Sequence, residues 1–332
     1  MPNTRLYWLH CLSPTHAGIG RGLSYIDLPI DRDAVINWPI IRGSGFKGVW
    51  ADYYAVKMIP KPEEEEVDGK KRIKDRRKMD TPEGRLLRAA FGIAGDSNES
   101  NSGALIPTDA KLVCLPVRSF RGTYAWATSP LCLQMLRRTL ELAGVTGIPN
   151  APDAIHENHA HHTATSVLVE ETREPVAGSP NQQRLLRKVL LEDLDFDARP
   201  CETATAWSQL IARYVFATDA AWQEQFQKRF VVLPDNAFDF LCETGTEVHT
   251  RVRIDDDTKT VAQGALWTEE SLPAETILMG LIQCDRVFGS RGEDITPQGL
   301  LDRFATKPLT LQIGGKATVG RGQVRVIFSE VQ

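Results

Sequence analysis

Strand-like segments stand at both ends of the chain and the helical patterns lie between them, an order that strongly limits the folds open to it. Near the start, Arg5 to Leu12 is rich in Leu, Tyr and Trp, residues that suit a pleated, buried surface. Near the end, Leu309 to Ile313 and Gln323 to Phe328 flank a glycine-rich turn. There Val324, Val326 and Phe328 alternate with Gln323 and Arg325, as a strand with one buried face requires. Strand, loop, helices, a long middle and then strands again favour an α+β fold over a regular βαβ array.

The helix signals are local. Phe46, Val49, Trp50 and Tyr53 recur at helical spacing, with Ser44 placed to cap the first turn. Thr81-Pro82-Glu83 announces a second helix, with proline at its first position and Gly92 closing it after Leu86, Leu87, Ala90 and Phe91. Ser129-Pro130 opens a third, which carries Leu133, Leu136 and Leu140 up to Gly144. Trp207, Leu210, Ile211 and Tyr214 mark a fourth, and Trp222, Phe226 and Phe230 a fifth. Ile26-Asp27-Leu28-Pro29-Ile30 and Trp38-Pro39-Ile40-Ile41, punctuated by proline, suit loop or sheet edge. Two stretches lack apolar periodicity and read as mobile insertions. One is 57–80, where Glu63 to Glu66 precede a basic run from Lys70 to Lys78. The other is 149–184, polar and rich in histidine.

Composition bounds the function. The chain has 332 residues, 42% hydrophobic and 25% charged, enough for a substantial core. No apolar run reaches the roughly 20 residues that span a bilayer. The start, Met1-Pro2-Asn3-Thr4-Arg5, lacks the apolar region of a secretory signal. The six cysteines are scattered and form no close pair, which suits reduced thiols. A cytoplasmic protein without a membrane partner is therefore expected. The net charge of −4 argues against a broad cationic face for nucleic acid, so any such binding has to be local, made by backbone amides, or shared among subunits.

Gly43-Ser44-Gly45-Phe46-Lys47-Gly48 matches GxGxxG, but the dinucleotide reading needs a second strand ending in an acidic residue, and the chain offers the charged loop Lys61-Pro62-Glu63-Glu64 instead. One reading is that the glycines simply ease helix packing. Alternatively, small residues at a helix start leave N–H groups facing outward, with Lys47 in the first turn, a geometry for a backbone phosphate. Ile313-Gly314-Gly315-Lys316-Ala317-Thr318-Val319-Gly320-Arg321-Gly322 is not a Walker A loop, because no Gly-Lys-Ser/Thr closes the spacing. It is either a long hairpin turn or an anion-binding nest of amides with Arg321 adding charge. His156, His159, His161 and His162 have spacings that can ligate zinc. With no Cys nearby in sequence and no tetrahedral pattern completed by Glu157, a flexible loop is the expectation. The run Lys70 to Lys78 either touches RNA or a neighbouring subunit, or is neutralised by Glu63 to Glu66.

Taken in order, Ser13-Pro14-Thr15-His16-Ala17-Gly18, Ile26-Asp27-Leu28-Pro29-Ile30 and Gly43 to Gly48 resemble the N-terminal signature of the RAMP backbone subunit of the Cmr (type III-B) CRISPR complex. Leu115-Pro116-Val117-Arg118-Ser119 with Ala125 to Pro130, Val189 to Leu194, and Gly264 to Pro273 are similar to later motifs of that family, and the closing Gly314–Gly322 loop to its glycine loop. The resemblance runs from about residue 8 to 328. It implies a single RAMP domain over 1–332, α+β, with a ferredoxin-like (RRM-type) core, large insertions and a β-hairpin thumb. It also implies a subunit that polymerises along CRISPR RNA as a helical filament with other Cmr subunits, and an endoribonuclease of antiviral defence that cuts target RNA at regular intervals. The acid it implies at the cutting site is Asp27, with a divalent metal ion, Mg2+, as cofactor; His16 reads as a partner acid, a phosphate contact or a loop histidine bonded to backbone. Ser44, Gly45, Lys47, Gly48, Gly314, Gly315, Gly320, Arg321 and Gly322 would contact RNA.

The chain departs from the family where Ser-Ser-Leu-Lys-Gly is replaced by Ser44-Gly45-Phe46-Lys47-Gly48, and where Asp31 stands in place of a Gln. Asp31 gives the loop a second candidate acid. A free Asp titrates near about 3.9, which makes a poor base and favours a metal-assisted or orienting role. Without the resemblance, Asp27 would read as a turn-capping residue. Glu269 and Glu270 are accessory candidates, or simply a solvated turn. Two other readings stay open: the same scaffold without catalysis, and a stand-alone RAMP endoribonuclease that processes CRISPR transcripts.

Overall fold

The computed structural model describes residues 3–330 apart from 21, 23–24, 68–69, 94–99, 177–178, 256 and 289–294. Its main strands are β1 (Thr4–Cys11), β2 (Ala110–Arg118), β3 (Tyr124–Thr128), β4 (His159–His162), β5 (Val169–Val176), β6 (Ser179–Leu191) and β7 (Leu194–Pro200). They continue with β8 (Phe230–Val232), β9 (Glu247–Ile254), β10 (Val261–Ser271), β11 (Ile277–Gln283), β12 (Leu309–Gln312) and β13 (Gln323–Glu330). The helices are α1 (Gly43–Met58), α2 (Pro82–Phe91), α3 (Pro130–Ala143), α4 (Glu202–Val215), α5 (Ala220–Arg229), α6 (Asp235–Thr244) and α7 (Pro297–Phe304). The fold is α+β, as expected.

One sheet runs through the molecule in the order β5-β6-β7-β4-β8-β3-β2-β11-β1-β13-β12. β1 lies between β11 and β13, antiparallel to both, with Tyr7 opposite Gly280 and Phe328. Both faces of β1 are buried. Tyr7, Leu9 and Cys11 enter the core filled by Phe46 and Trp50 of α1, Phe91 of α2 and Phe304 of α7. Leu6 and Trp8 enter a second core with Leu136 of α3, Trp207 of α4 and Phe226 of α5. A period-two strand covered on both sides by helices explains why Arg5 to Leu12 is apolar rather than alternating.

α1 is anchored by its aromatics. Phe46 stacks on Tyr7 at 4.6 Å and on Trp50 at 5.3 Å, and Trp50 meets Phe91 and Phe328. Truncating either buried ring to alanine removes about 3–5 kcal/mol. Ser44 does not cap this helix. The N-cap is Arg42, which makes no side-chain cap bond, and the Gly43 N–H instead donates to Asp109 Oδ1 at 2.8 Å. A carboxylate there also complements the helix dipole. The Thr81 and Ser129 caps form as expected, with their hydroxyls accepting from Gly84 and Cys132.

Two expected mobile insertions contain regular structure. In 57–80, Glu64–Val67 pairs with Lys70–Ile73, and Lys71 and Lys74 bridge to Glu64 and Glu63. That arrangement is the self-neutralising one. In 149–184, β4 is an interior strand of the sheet and β5 pairs with β6 along a long hairpin. His159, His161 and His162 therefore lie on a strand, and only His156 lies in the loop that precedes it. His161 and His162 are paired to β8, and His162 Nδ1 bonds the Thr163 carbonyl. The fold also supplies the cysteine absent from their sequence neighbourhood. A hydrogen bond from His161, only partly offset by burial, lowers the Cys201 thiol to about 7. None of the six cysteines is disulfide-bonded. Among the described residues, no helix is long and apolar enough to cross a membrane.

Candidate nucleic-acid interface

The loop that follows β1 is stitched to two distant segments. Thr15 exchanges backbone hydrogen bonds with Leu272, and the Gly315 N–H donates to the His16 carbonyl at 2.9 Å. Gly322 N–H reaches the Pro14 carbonyl at 2.9 Å. The glycine loop therefore folds down onto the N-terminal loop, and between them and α1 lies a cleft of about 450 Å³. His16, Leu28, Asp31, Arg42, Gly45 and Gly314 are among its lining residues. The two glycine-rich segments, some 270 positions apart in sequence, share this one surface.

At the α1 end, Ser44, Gly45 and Gly48 are exposed. A Cβ built on Gly45 or Gly48 would meet nothing within 4 Å, so no internal contact demands glycine at either position. Among the described residues no acceptor closes on the Ser44 or Gly45 N–H groups. Gly43 differs: a Cβ there would stand 2.4 Å from the Pro107 carbonyl oxygen. Lys47 does not line the cleft. It is half-buried, and burial, followed by the charge of Arg77, lowers its ammonium below the ordinary value. Arg42 grips Asp31 through two hydrogen bonds of 2.7 and 3.0 Å and reaches Asp109 at 3.1 Å. Asp31, the second candidate acid, is thus neutralised by a bidentate partner.

At the other end, Gly314, Gly320 and Gly322 all take positive φ, near 80°. Gly314 and Gly315 line the cleft, while Gly320 and Gly322 do not. Arg321 is buried, and its guanidinium reaches Ser271 Oγ at 3.1 Å and Glu247 at 3.5 Å. It supports the loop from behind. Lys316, in the same loop, gives its Nζ to Glu269 Oε1 at 2.6 Å and lies 5.8 Å from the Trp267 ring.

Three consecutive residues of β10 hold the surrounding loops together. Thr268 N–H and Oγ1 donate to Asp27 Oδ2 at 2.8 and 3.0 Å, while the Asp27 N–H donates back to Thr268 Oγ1 at 2.9 Å. Glu269 holds Lys316 and accepts from Trp267 Nε1. Burial alone would raise its carboxyl, but those two hydrogen bonds, with the charges of Lys316 and Arg251, hold it below the ordinary value. Glu270 binds Arg32 and Thr246 through Oε1 and the Ile30 N–H through Oε2, and its carbonyl accepts from His16 Nδ1 at 2.6 Å. Neither glutamate is a solvated turn residue: they are 3% and 2% exposed. That bond commits the Nδ1 proton of His16 to the backbone of β10 and fixes the plane of the ring. Asp27 itself is exposed, one residue from Leu28, whose side chain enters the cleft.

The RAMP superfamily model matches residues 8–325. The chain belongs to the RAMP superfamily. Among its relatives is the CRISPR system Cmr endoribonuclease Cmr4 of Pyrococcus furiosus, 32% identical across 98% of this chain and 96% of the relative. The CRISPR system CMR subunit Cmr4 of Saccharolobus solfataricus is 21% identical over 94% of this chain and 92% of its own length. The crystal structure of oligomeric Cmr4 from Pyrococcus furiosus superposes with a TM-score of 0.65 at 25% identity, covering 99% of this chain and 98% of that one. A cryo-EM structure of the type III-B Cmr-beta complex bound to cognate target RNA has a chain of the same fold, with a TM-score of 0.66 at 17% identity over 98% and 96% of the two chains. Of the RAMP motifs quoted above, the four central ones fall on β2, on β3, at the β6–β7 turn and on β10, and Gly43–Gly48 opens α1.

Proposed function

We propose that this chain is the CRISPR-RNA-binding backbone subunit of a type III-B (Cmr) effector in the cytoplasm, assembling with copies of itself and other Cmr subunits along the guide. We further propose that it is an endoribonuclease that cleaves bound complementary RNA at regular intervals. The observation that carries this reading is the full-length 32% identity to a Cmr endoribonuclease. Its architecture supports the finer fold reading as well. Taken along the chain, β1, α1, β2, β11, α7 and β13 follow a βαββαβ path, with spatial order β13-β1-β11-β2 and antiparallel neighbours, the pattern of a ferredoxin-like core. The separate two-stranded β9–β10 hairpin is the counterpart of the thumb.

On this reading the guide's sugar–phosphate chain lies in the cleft. Glycines without neighbours at 45 and 48 let a backbone approach the helix start, and N–H groups there receive a phosphate. Gly314 and Gly315 supply the opposite wall. Affinity comes from repetition along one RNA, which reconciles a net charge of −4 with tight binding. A target strand paired to the guide places the 2′-hydroxyl of a splayed nucleotide beside Asp27. The carboxylate orients that hydroxyl as its proton passes to solvent and its oxygen attacks the adjacent phosphorus, and His16 donates a proton to the departing 5′-oxygen.

A divalent ion, Mg2+, belongs to the same reading. Among the described residues, however, no three His, Cys, Asp or Glu side chains converge as a metal site. The described side chains alone therefore do not form a site for a resident ion, and an ion would share its shell with the phosphates of the RNA. The test is Asp27→Ala in the assembled complex. It keeps guide loading and assembly but loses the ladder of target fragments, whereas an unchanged ladder refutes the catalytic role.

A further inference from the structure

Asp27 lies 241 positions from Thr268 in sequence, yet the two residues share three hydrogen bonds. Backbone bonds flank them: Leu28 N–H donates to the Thr268 carbonyl at 3.1 Å, and Glu270 N–H to the Leu28 carbonyl at 3.0 Å. Two donors on a single carboxylate oxygen fix both the side-chain rotamer and the plane of the carboxylate. An aspartate side chain has several rotamers, few of which would meet a given hydroxyl, and these bonds narrow that set. Thr268 also belongs to β10, one arm of the hairpin that stands apart from the main sheet.

We propose that Thr268 is a positioning residue that holds the Asp27 carboxylate in its cutting orientation, so that the hairpin and the reacting group move as one unit. This inference rests on the reading of Asp27 as the cleaving acid. Its reach is larger than one contact, because whatever displaces β10 displaces the carboxylate with it. Target RNA that seats the hairpin correctly is then aligned with the acid by the same strand.

The experiment is single-turnover cleavage of saturating complementary RNA by the assembled complex, with guide loading and target affinity measured in parallel. Thr268→Val keeps the shape and the backbone N–H but removes the hydroxyl as donor and acceptor. The loss of hydrogen bonds to a charged group slows cleavage by about 10- to 100-fold, with guide loading and target affinity unchanged. Thr268→Ser, which restores the hydroxyl, recovers most of the rate. In an Asp27→Ala background, Thr268→Val adds no further loss, because the two act as a unit. If Thr268→Val cleaves at the wild-type rate while Asp27→Ala does not cleave, the positioning role is wrong and the acid stands. A Thr268→Val defect that Ser does not repair, or that tracks lost target binding, also overturns it. If Asp27→Ala cuts normally, the reading beneath it fails first.

Discussion

Gly43–Gly48 and Gly314–Gly322 look alike as sequence, but Gly45 and Gly48 of the first differ in their surroundings from Gly314 and Gly322 of the second. In the C-terminal loop the demand is internal. A Cβ on Gly314 would stand 2.2 Å from the His16 carbonyl oxygen, and one on Gly322 would stand 2.2 Å from the Ile313 carbonyl oxygen, both at positive φ. At the start of α1 the demand at Gly45 and Gly48 is external, since nothing within the chain comes within 4 Å of a Cβ there. Glycine inside a helix costs roughly 0.5–1 kcal/mol relative to alanine. On the proposed reading, that cost keeps the space clear for the approach of an RNA backbone. The difference separates glycines that build the cleft from glycines that leave it open.

Five substitutions sharpen or break that division. Gly314→Ala and Gly322→Ala each combine a left-handed backbone with a collision against a carbonyl, and each lowers unfolding stability by about 3 kcal/mol or more, read from denaturant midpoints. Glu269→Gln weakens the strut from β10 to Lys316 of the glycine loop and lowers stability by about 2 kcal/mol at neutral pH. Because the folded Glu269 carboxyl is held below its ordinary value, its contribution is complete above about pH 4.3 and is lost as pH falls through the folded value. The variant accordingly shows a shallower stability loss than wild type over that acid window. Gly45→Val leaves the fold intact but fills the space above the helix start, and guide affinity falls about tenfold, near 1.4 kcal/mol. Gly48→Ala has the smallest effect and the opposite sign, raising stability by about 0.5–1 kcal/mol while weakening guide loading. If it destabilises instead, an internal role for Gly48 replaces the external one.

What could be read in advance followed from local chemistry. Thr81-Pro82 and Ser129-Pro130 declare helix starts within three residues, and both caps form. Arg5 to Leu12 and the Gln323–Phe328 alternation carry their own pattern. The β5–β6 hairpin gave no such signal. Where its side chains are described they are largely exposed and charged, with Glu171 paired to Arg187 across the strands, so no apolar alternation exists to be read. α6 starts after Pro234 without a side-chain cap, and its buried Phe238, Leu241 and Cys242 form too short a stripe to stand out. α7 repeats the Thr-Pro start of α2 at Thr296-Pro297 over only eight residues. The site divides in the same way. Glycines, His16 and Asp27 could be named from motifs. The hold of Thr268 on Asp27, of Glu270 on His16 and of Arg42 on Asp31 could not, because two of them join residues more than 240 positions apart and the third depends on how a loop closes on a helix.

The central claim is that the cleft between α1 and the glycine loop receives the guide backbone. Ultraviolet cross-linking of guide RNA in the assembled complex, mapped to peptides, tests it most directly. Cross-links on both the 43–49 and 313–316 segments, reduced together by Gly45→Val, are the predicted result. Guide cross-links confined to other faces, with both segments unmarked, would contradict it.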